Sequence, residues 1–340
     1  MDWVLVISAV VKSVILLAVL ITGFAYVTLF ERRILAKIQT RIGPNRVGPW
    51  GFLQPAADGL KLIFKEEVIP DRADKVLFIL APVITVIPAL IILAVVPWGP
   101  TVDLFGYQIN LSISAGVNIG VLYIMAVSSI AVYGITLAGW SSGNKYALLG
   151  GLRSAAQMVS YELALGLSFV VPIILSHSLS LATIVGDQQG FFNWYIFRQP
   201  LAFLVMFIAF IAEINRAPFD EPEAEQELVA GYHVEYSGMK FALFFMAEYI
   251  KMIAVSAITV AFFFGGYWGP YVTQFPVLGP IYLLIKVVVF LFILIWIRGT
   301  LPRLRYDRLM ALGWKILLPV SILNVVGTAV VVMLVGGMGA

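Results

Sequence analysis

Six carboxylates fall between residues 213 and 227: Glu213, Asp220, Glu221, Glu223, Glu225 and Glu227. Glu235 follows, and within 213–238 only Arg216 and His233 can carry positive charge. Carboxylates held this close cannot all ionise independently; they raise one another's proton affinity and titrate as a set. If 223–232 is helical, Glu223 and Glu227 share a face at i, i+4 and repel. That arrangement calls for cations, protons or a basic partner surface opposite. Further acids, Glu162 and Glu248, lie in apolar stretches, and Glu248 has Lys251 three residues on, on the same helical face. A string of acids running from a loop into apolar surroundings suits a proton relay. An acidic docking patch for another chain is the second reading, and the two can coexist.

The elements that position these groups are membrane helices. Of 340 residues, 61% are hydrophobic and 12% charged, against about 45–50% and about 25% in a soluble domain. Eight stretches approach the roughly 20 apolar residues a spanning helix needs: about 4–30, 76–97, 116–139, 154–176, 199–214, 241–264, 279–298 and 315–335. They are apolar all round, unlike the alternating strands of a membrane β-barrel. The expected fold is all-α, a single membrane domain over 1–340 with eight transmembrane helices. Lys and Arg concentrate in loops 31–75, 140–153, 215–240 and 298–315, whereas the alternate loops hold only Arg198. By the positive-inside rule these basic loops face the cytoplasm and both termini face out. The acidic loop 215–240 therefore opposes the charge trend of its own side.

Depth sorts the intramembrane charges, each of which is costly and a functional candidate. At about 1.5 Å per residue, Glu162 lies about 12 Å and Glu248 about 11 Å inside the cytoplasmic boundary, with Glu213 ending its segment on the same side. Lys12 and Lys286 lie toward the outer side, where a lysine stem can snorkel to the interface. In loop 31–75, Leu53, Ala56, Ala57, Leu60, Ile63 and Phe64 recur at helical spacing opposite Gln54, Asp58, Lys61 and Lys65. This is the pattern of an amphipathic surface helix over about 50–65. It either anchors the chain to lipid or walls a binding cavity.

Several chemistries are excluded. The chain has no Cys and two His, His177 and His233, in unlike contexts. Thiolate iron–sulfur ligation, Cys-based zinc sites and bis-histidine haem are not expected, nor is any bound metal or flavin. There is no phosphate-binding Gly loop, nucleophile elbow or His-Glu-x-x-His, so no complete catalytic site is expected in this chain. The net charge of +3 reflects topology and gives no nucleic-acid footprint. The first apolar run ends in Glu31-Arg32-Arg33, not at a small-residue cleavage site, so no cleaved signal is expected. Any redox centre would belong to a partner.

Three longer motifs carry a resemblance. ERR at 31–33, QTRIGPNRVG at 39–48 and GFLQPAADGLKLIFKE at 51–66 form the first. EINRAPFDEPEAEQELVAG at 213–231 with EYSG at 235–238 forms the second, and TLPRLRYD at 300–307 the third. Together they resemble, in order and over nearly the whole chain, the membrane-protein family known as subunit 1 of respiratory complex I, called the H subunit in bacteria. The resemblance implies the heel of a membrane arm, joined to peripheral subunits that hold the terminal iron–sulfur cluster and the quinone headgroup site. Small and antiporter-like membrane subunits would be its other neighbours. Quinone would be the substrate, shared with partners. The resemblance marks Arg41, Arg46, Gln54, Asp58, Phe219 and Arg298 as candidates for the quinone chamber and its entrance. It assigns coupling to Arg216, Asp220, Glu221, Glu223, Glu225 and Glu227, continued by Glu162, Glu213, Glu248 and Lys251.

Three other identities compete within and outside that superfamily. A related subunit serves membrane-bound hydrogenases and ferredoxin- or F420H2-linked dehydrogenases, and intact quinone-type signatures here disfavour it. A stand-alone proton-coupled transporter would share the helices but require no large complex, and a purely structural anchor would leave activity intact when the acidic loop loses its charges. The expected location is a bacterial plasma membrane rather than an organelle.

Overall fold

A computed structural model describes residues 3–104, 107–113, 117–220 and 231–337. The first helix, α1 (Trp3–Ile38), runs past the expected end near residue 30 and carries Glu31, Arg32 and Arg33 on its last turns. A turn leads into α2 (Gln54–Ile63), the expected amphipathic helix, opened by Pro55 near its N-terminus and carrying no fully buried residue. Its exposed Leu60 and Ile63 are the apolar face a surface helix turns to lipid.

Next comes α3 (Lys75–Ile91), whose first turn is capped by the Asp74 carboxylate, accepting from Val76 N at 3.1 Å and Leu77 N at 3.3 Å. A short antiparallel hairpin follows, β1 (Thr101–Leu104) and β2 (Tyr107–Asn110), paired Thr101↔Asn110 through Leu104↔Tyr107. It is an addition to the expected all-α plan. Four residues per strand give too little period-two signal to stand out between apolar runs.

Helices α4 (Gly120–Ser141) and α5 (Lys145–Ser176) pack as neighbours. Helix α5 begins nine residues earlier than expected, because Gly150 and Gly151, which look like loop punctuation, are helical. The glycines let backbones meet: a Cβ on Gly139 would lie 2.5 Å from Ala147 O, and one on Gly150 2.8 Å from Gly231 Cα. Small residues at such crossings are the usual device of membrane helix packing. Asn144 caps α5 by accepting from Tyr146 N at 2.9 Å.

Two short helices, α6 (Leu181–Gly186) and α7 (Tyr195–Arg198), lead into α8 (Pro200–Glu213). Then come α9 (Gly238–Phe263), α10 (Leu278–Thr300), α11 (Tyr306–Ala311) and, after a π-helical turn at Leu312–Leu317, α12 (Leu318–Gly337). Among the described residues seven helices are long and apolar enough to cross a membrane; α8 is apolar but shorter. The most apolar window of α9 is 61% buried, whereas those of α1 and α12 are 22% and 17% buried. So α9 is the central post, and α1 and α12 lie at the periphery of the chain. Around α9 the aromatic core includes Phe169 stacked on Phe262 at 4.6 Å.

At the far end of α9, Lys286 Nζ donates to Phe264 O at 2.7 Å, Gly266 O at 3.0 Å and Trp268 O at 2.7 Å. It also lies 4.4 Å from the Trp194 ring centroid. A cation among terminal carbonyls completes the helix end. Lys286 is thus bound within the protein instead of snorkelling.

Candidate functional site

The site is built where the C-terminal ends of α1, α8 and α10 meet the N-terminal half of α9. Glu31 is 3% exposed and Arg216 7% exposed, so neither charge can rely on water. Arg216 Nη1 donates to Glu31 Oε1 at 2.9 Å and Oε2 at 3.1 Å. Its Nε is paired with Glu248 Oε1, and Arg298 Nη1 with Glu31 Oε1. The Arg216 guanidinium also lies over the Tyr249 ring at 4.4 Å. The result is a continuous line of alternating charge, Arg298–Glu31–Arg216–Glu248, linking α10, α1, the 214–220 turn and α9. Partnered charges of this kind survive burial, and loss of one partner strands the others.

The turn bearing Arg216 is held by α5. Gln157, fully buried, donates from Nε2 to Ala212 O at 2.8 Å, Phe219 O at 2.8 Å and Asn215 Oδ1 at 3.2 Å. Asn215 adopts φ +58°, a left-handed conformation that Asn tolerates better than most residues. Leu304 N donates to Pro218 O at 2.9 Å, tying the turn to the basic segment after α10.

Deeper in, Lys251 sits within electrostatic reach of Glu213, Glu248 and Glu162. Glu213 and Lys251 line one small, water-sized cavity together with Ser128. Glu248 and Lys251 line a second of similar size with Thr85 and Tyr232. Glu162 accepts from Ser129 Oγ. Glu213 Oε2 is buried with no hydrogen-bond partner among the described residues. One lysine thus serves three acids, which sequence proximity could not show for Glu162 and Glu213. Glu248, which shares a helical face with Lys251, is paired with Arg216. Asp220 lies within electrostatic reach of Glu248. Glu221, Glu223, Glu225 and Glu227 lie outside the described residues.

An apolar groove of about 1080 Å³ runs between α1, α9 and α10. Gly23, Ile253 and Val288 line it, and Arg33 and Phe52 line its end nearest α2, the guanidinium 4.9 Å from the ring centroid. The expected chamber residues divide around it. Gln54 Nε2 donates to Asp58 Oδ1 at 2.9 Å, and Asp58 pairs with Arg32 at 2.6 Å. Arg41 Nε donates to Gln39 Oε1 at 2.7 Å, and both Arg41 and Arg46 are exposed. Arg298 belongs to the charge line. Phe219 is 4% exposed and packs on Tyr161 at 5.6 Å. None of these six residues is among those lining the groove.

Sequence reasoning passed over Glu31, Arg33, Phe52 and Gln157 as site residues. Glu31 read as the polar end of a span, and Gln157 as an ordinary polar residue. Only three-dimensional closure brings Glu31 to Arg216, 185 positions away.

A family model described as NADH dehydrogenase matches residues 11–329. The first of the H subunits of the NADH-quinone oxidoreductases of Geobacter sulfurreducens is 51% identical over 338 residues, 96% of each chain. The corresponding H subunit of Thermomicrobium roseum is 51% identical over 333 residues, again 96% of each chain. That of Protochlamydia amoebophila is 50% identical over 308 residues, 91% of this chain and 92% of its own. With such identity along nearly all of both chains, and a family model covering most of the sequence, this protein belongs to the NADH dehydrogenase family, alongside the H subunits of NADH-quinone oxidoreductases.

Proposed function

We propose that this protein is the membrane subunit of a proton-pumping NADH-quinone oxidoreductase and couples quinone reduction to proton movement through its buried acids. The observation that carries this reading is one juxtaposition. The apolar groove ends at Arg33, and two residues earlier on α1 the Arg298–Glu31–Arg216–Glu248 line begins. A lipophilic tail fits the groove, and a charge change at the headgroup end acts on that line across α1, since residues two apart on a helix lie on different faces. Quinone reduction takes up two electrons and two protons. The electrons come from a partner's cluster, and the charge change biases the coupled protonation of Glu248, Glu213 and Glu162 around Lys251.

In this reading the chain is one membrane domain with eight crossings. Helix α8 is the eighth. At about 1.5 Å per residue its 14 residues reach only about 21 Å of a roughly 30 Å core, and α7 with the 214–220 turn completes the passage. Both termini face outward, and the membrane is the bacterial plasma membrane. Arg41, Arg46, Gln54, Asp58, Phe219 and Arg298, which lie off the groove itself, shape the rest of the chamber and its entrance. Glu221, Glu223, Glu225 and Glu227 extend the relay into the loop beside the peripheral partners, and antiporter-like subunits receive the protons.

A quinone with a photoreactive group on its tail tests the groove. In the purified complex it should label α1 and α10 near Gly23 and Val288, and excess quinone should compete the label away. Labelling confined to other faces would overturn the reading.

A further inference from the structure

Helix α2 is held from both ends. On one side, Arg33 donates to Trp50 O and Arg32 pairs with Asp58, which fixes α2 and its preceding turn to α1. On the other, the connector following α2 is tied to the start of α9. Lys240 Nζ meets Glu67 Oε2 at 2.6 Å. Val68 N donates to Ser237 Oγ at 3.1 Å, and Ser237 Oγ donates to Glu66 O at 3.3 Å. Gly238, at φ +58°, passes so close that a Cβ there would lie 3.1 Å from Glu67 Cγ and 3.2 Å from Lys65 O. The Lys240 side chain is only 13% exposed against 42% for Glu67, so the pair is partly shielded from solvent and ties the connector at a defined point.

The groove between α1, α9 and α10 is bounded near α2 by Arg33 and Phe52, which lie on the two pieces that these contacts hold together. Moving α2 away from α9 carries Phe52, on the turn just before α2, with it and so changes the opening, while the walls on α1, α9 and α10 stay in place.

We propose that Glu67, Lys240 and Ser237 form a positioning strap that sets the mouth of the groove and thereby the preference for long-tailed over short-tailed quinones. This rests on the reading of the groove as the tail's path. The strap contacts no groove residue and acts only through the pose of α2.

The test is steady-state quinone reduction by the whole complex with a long-tailed and a short-tailed quinone. Glu67→Ala and Lys240→Ala should raise KM for the long-tailed quinone about two- to fivefold, the range a partly exposed ion pair can command. kcat, and KM for the short-tailed quinone, should stay at parental values. The exchanged pair Glu67→Lys with Lys240→Glu should restore the long-tail KM. A groove-filling variant, Val288→Trp, serves as the control and should raise the long-tail KM by itself. If Val288→Trp raises it and the strap variants do not, the strap proposal is overturned and the groove reading stands. If Val288→Trp leaves it unchanged, the groove reading fails and the strap proposal fails with it. A fall in kcat shared by both quinones and not restored by the exchanged pair would mark a merely structural contact and also overturn the proposal.

Discussion

Glu31 near the C-terminal end of α1 and Arg216 in the turn after α8 form a buried ion pair across 185 positions, one guanidinium nitrogen contacting both carboxylate oxygens at 2.9 and 3.1 Å. Their pairing joins the first helix to the turn that opens the acidic loop. Arg298 on the same carboxylate and Glu248 on the same guanidinium make each member depend on the others.

Removing Glu31 therefore leaves two arginines short of a counter-charge. Glu31→Ala is expected to cost about 3–5 kcal/mol, the usual penalty for breaking a buried pair from one side. Glu31→Gln, which keeps shape and hydrogen-bonding oxygen, should cost less. Thermal melting of the purified complex checks the order. Equal melting points for parent and Glu31→Ala would show that the pair contributes nothing to stability.

Gln157 makes a separate prediction. Its amide satisfies Ala212 O and Phe219 O on either side of the Arg216 turn. Gln157→Leu leaves buried carbonyls unpaired, at about 1–3 kcal/mol, and frees the turn. Hydrogen exchange of 212–220 should quicken, and quinone reductase turnover should fall while the protein remains in the complex. Parental exchange rates in that segment would contradict this.

His233 carries a pH signature. It lies just before α9, its ring against Tyr232 at 5.0 Å and Phe241 at 5.5 Å. Burial holds its pKa down from 6.5 to about 4. Between those values the unfolded segment binds a proton that the folded one does not. Stability is full above about pH 6.5 and falls as pH drops toward 4, by up to about 1.4 kcal/mol per pH unit. His233→Phe should flatten that slope. Limited proteolysis of 231–240 between pH 7 and pH 5 measures it, and an unchanged slope in the variant would rule His233 out as its source.

The sequence displayed the helices well because 20-residue apolar runs are the strongest signal a chain can carry. It displayed the intramembrane acids too, since Glu162, Glu213 and Glu248 break such runs. It did not display which charge meets which. Glu248 has Lys251 one turn away yet is paired with Arg216 from another element. The start of α5 was hidden because Gly150 and Gly151 punctuate a sequence but serve here as a close-approach surface for Gly231 and for Gly139 on α4. Phe219 stood out in an acidic motif, but its packing against Tyr161 on α5 is a contact that the motif does not display.

The central claim is that the buried acids move protons in step with quinone reduction, and proton pumping by the Glu213→Gln variant reconstituted in vesicles tests it most directly. Glu213 and Lys251 share a cavity, and the amide keeps the carboxyl's size while removing its proton exchange. The account predicts a complex that assembles, with proton pumping and quinone reductase turnover both falling about tenfold or more, the loss expected when a required proton carrier is removed. Assembly with pumping and turnover equal to the parent would contradict it.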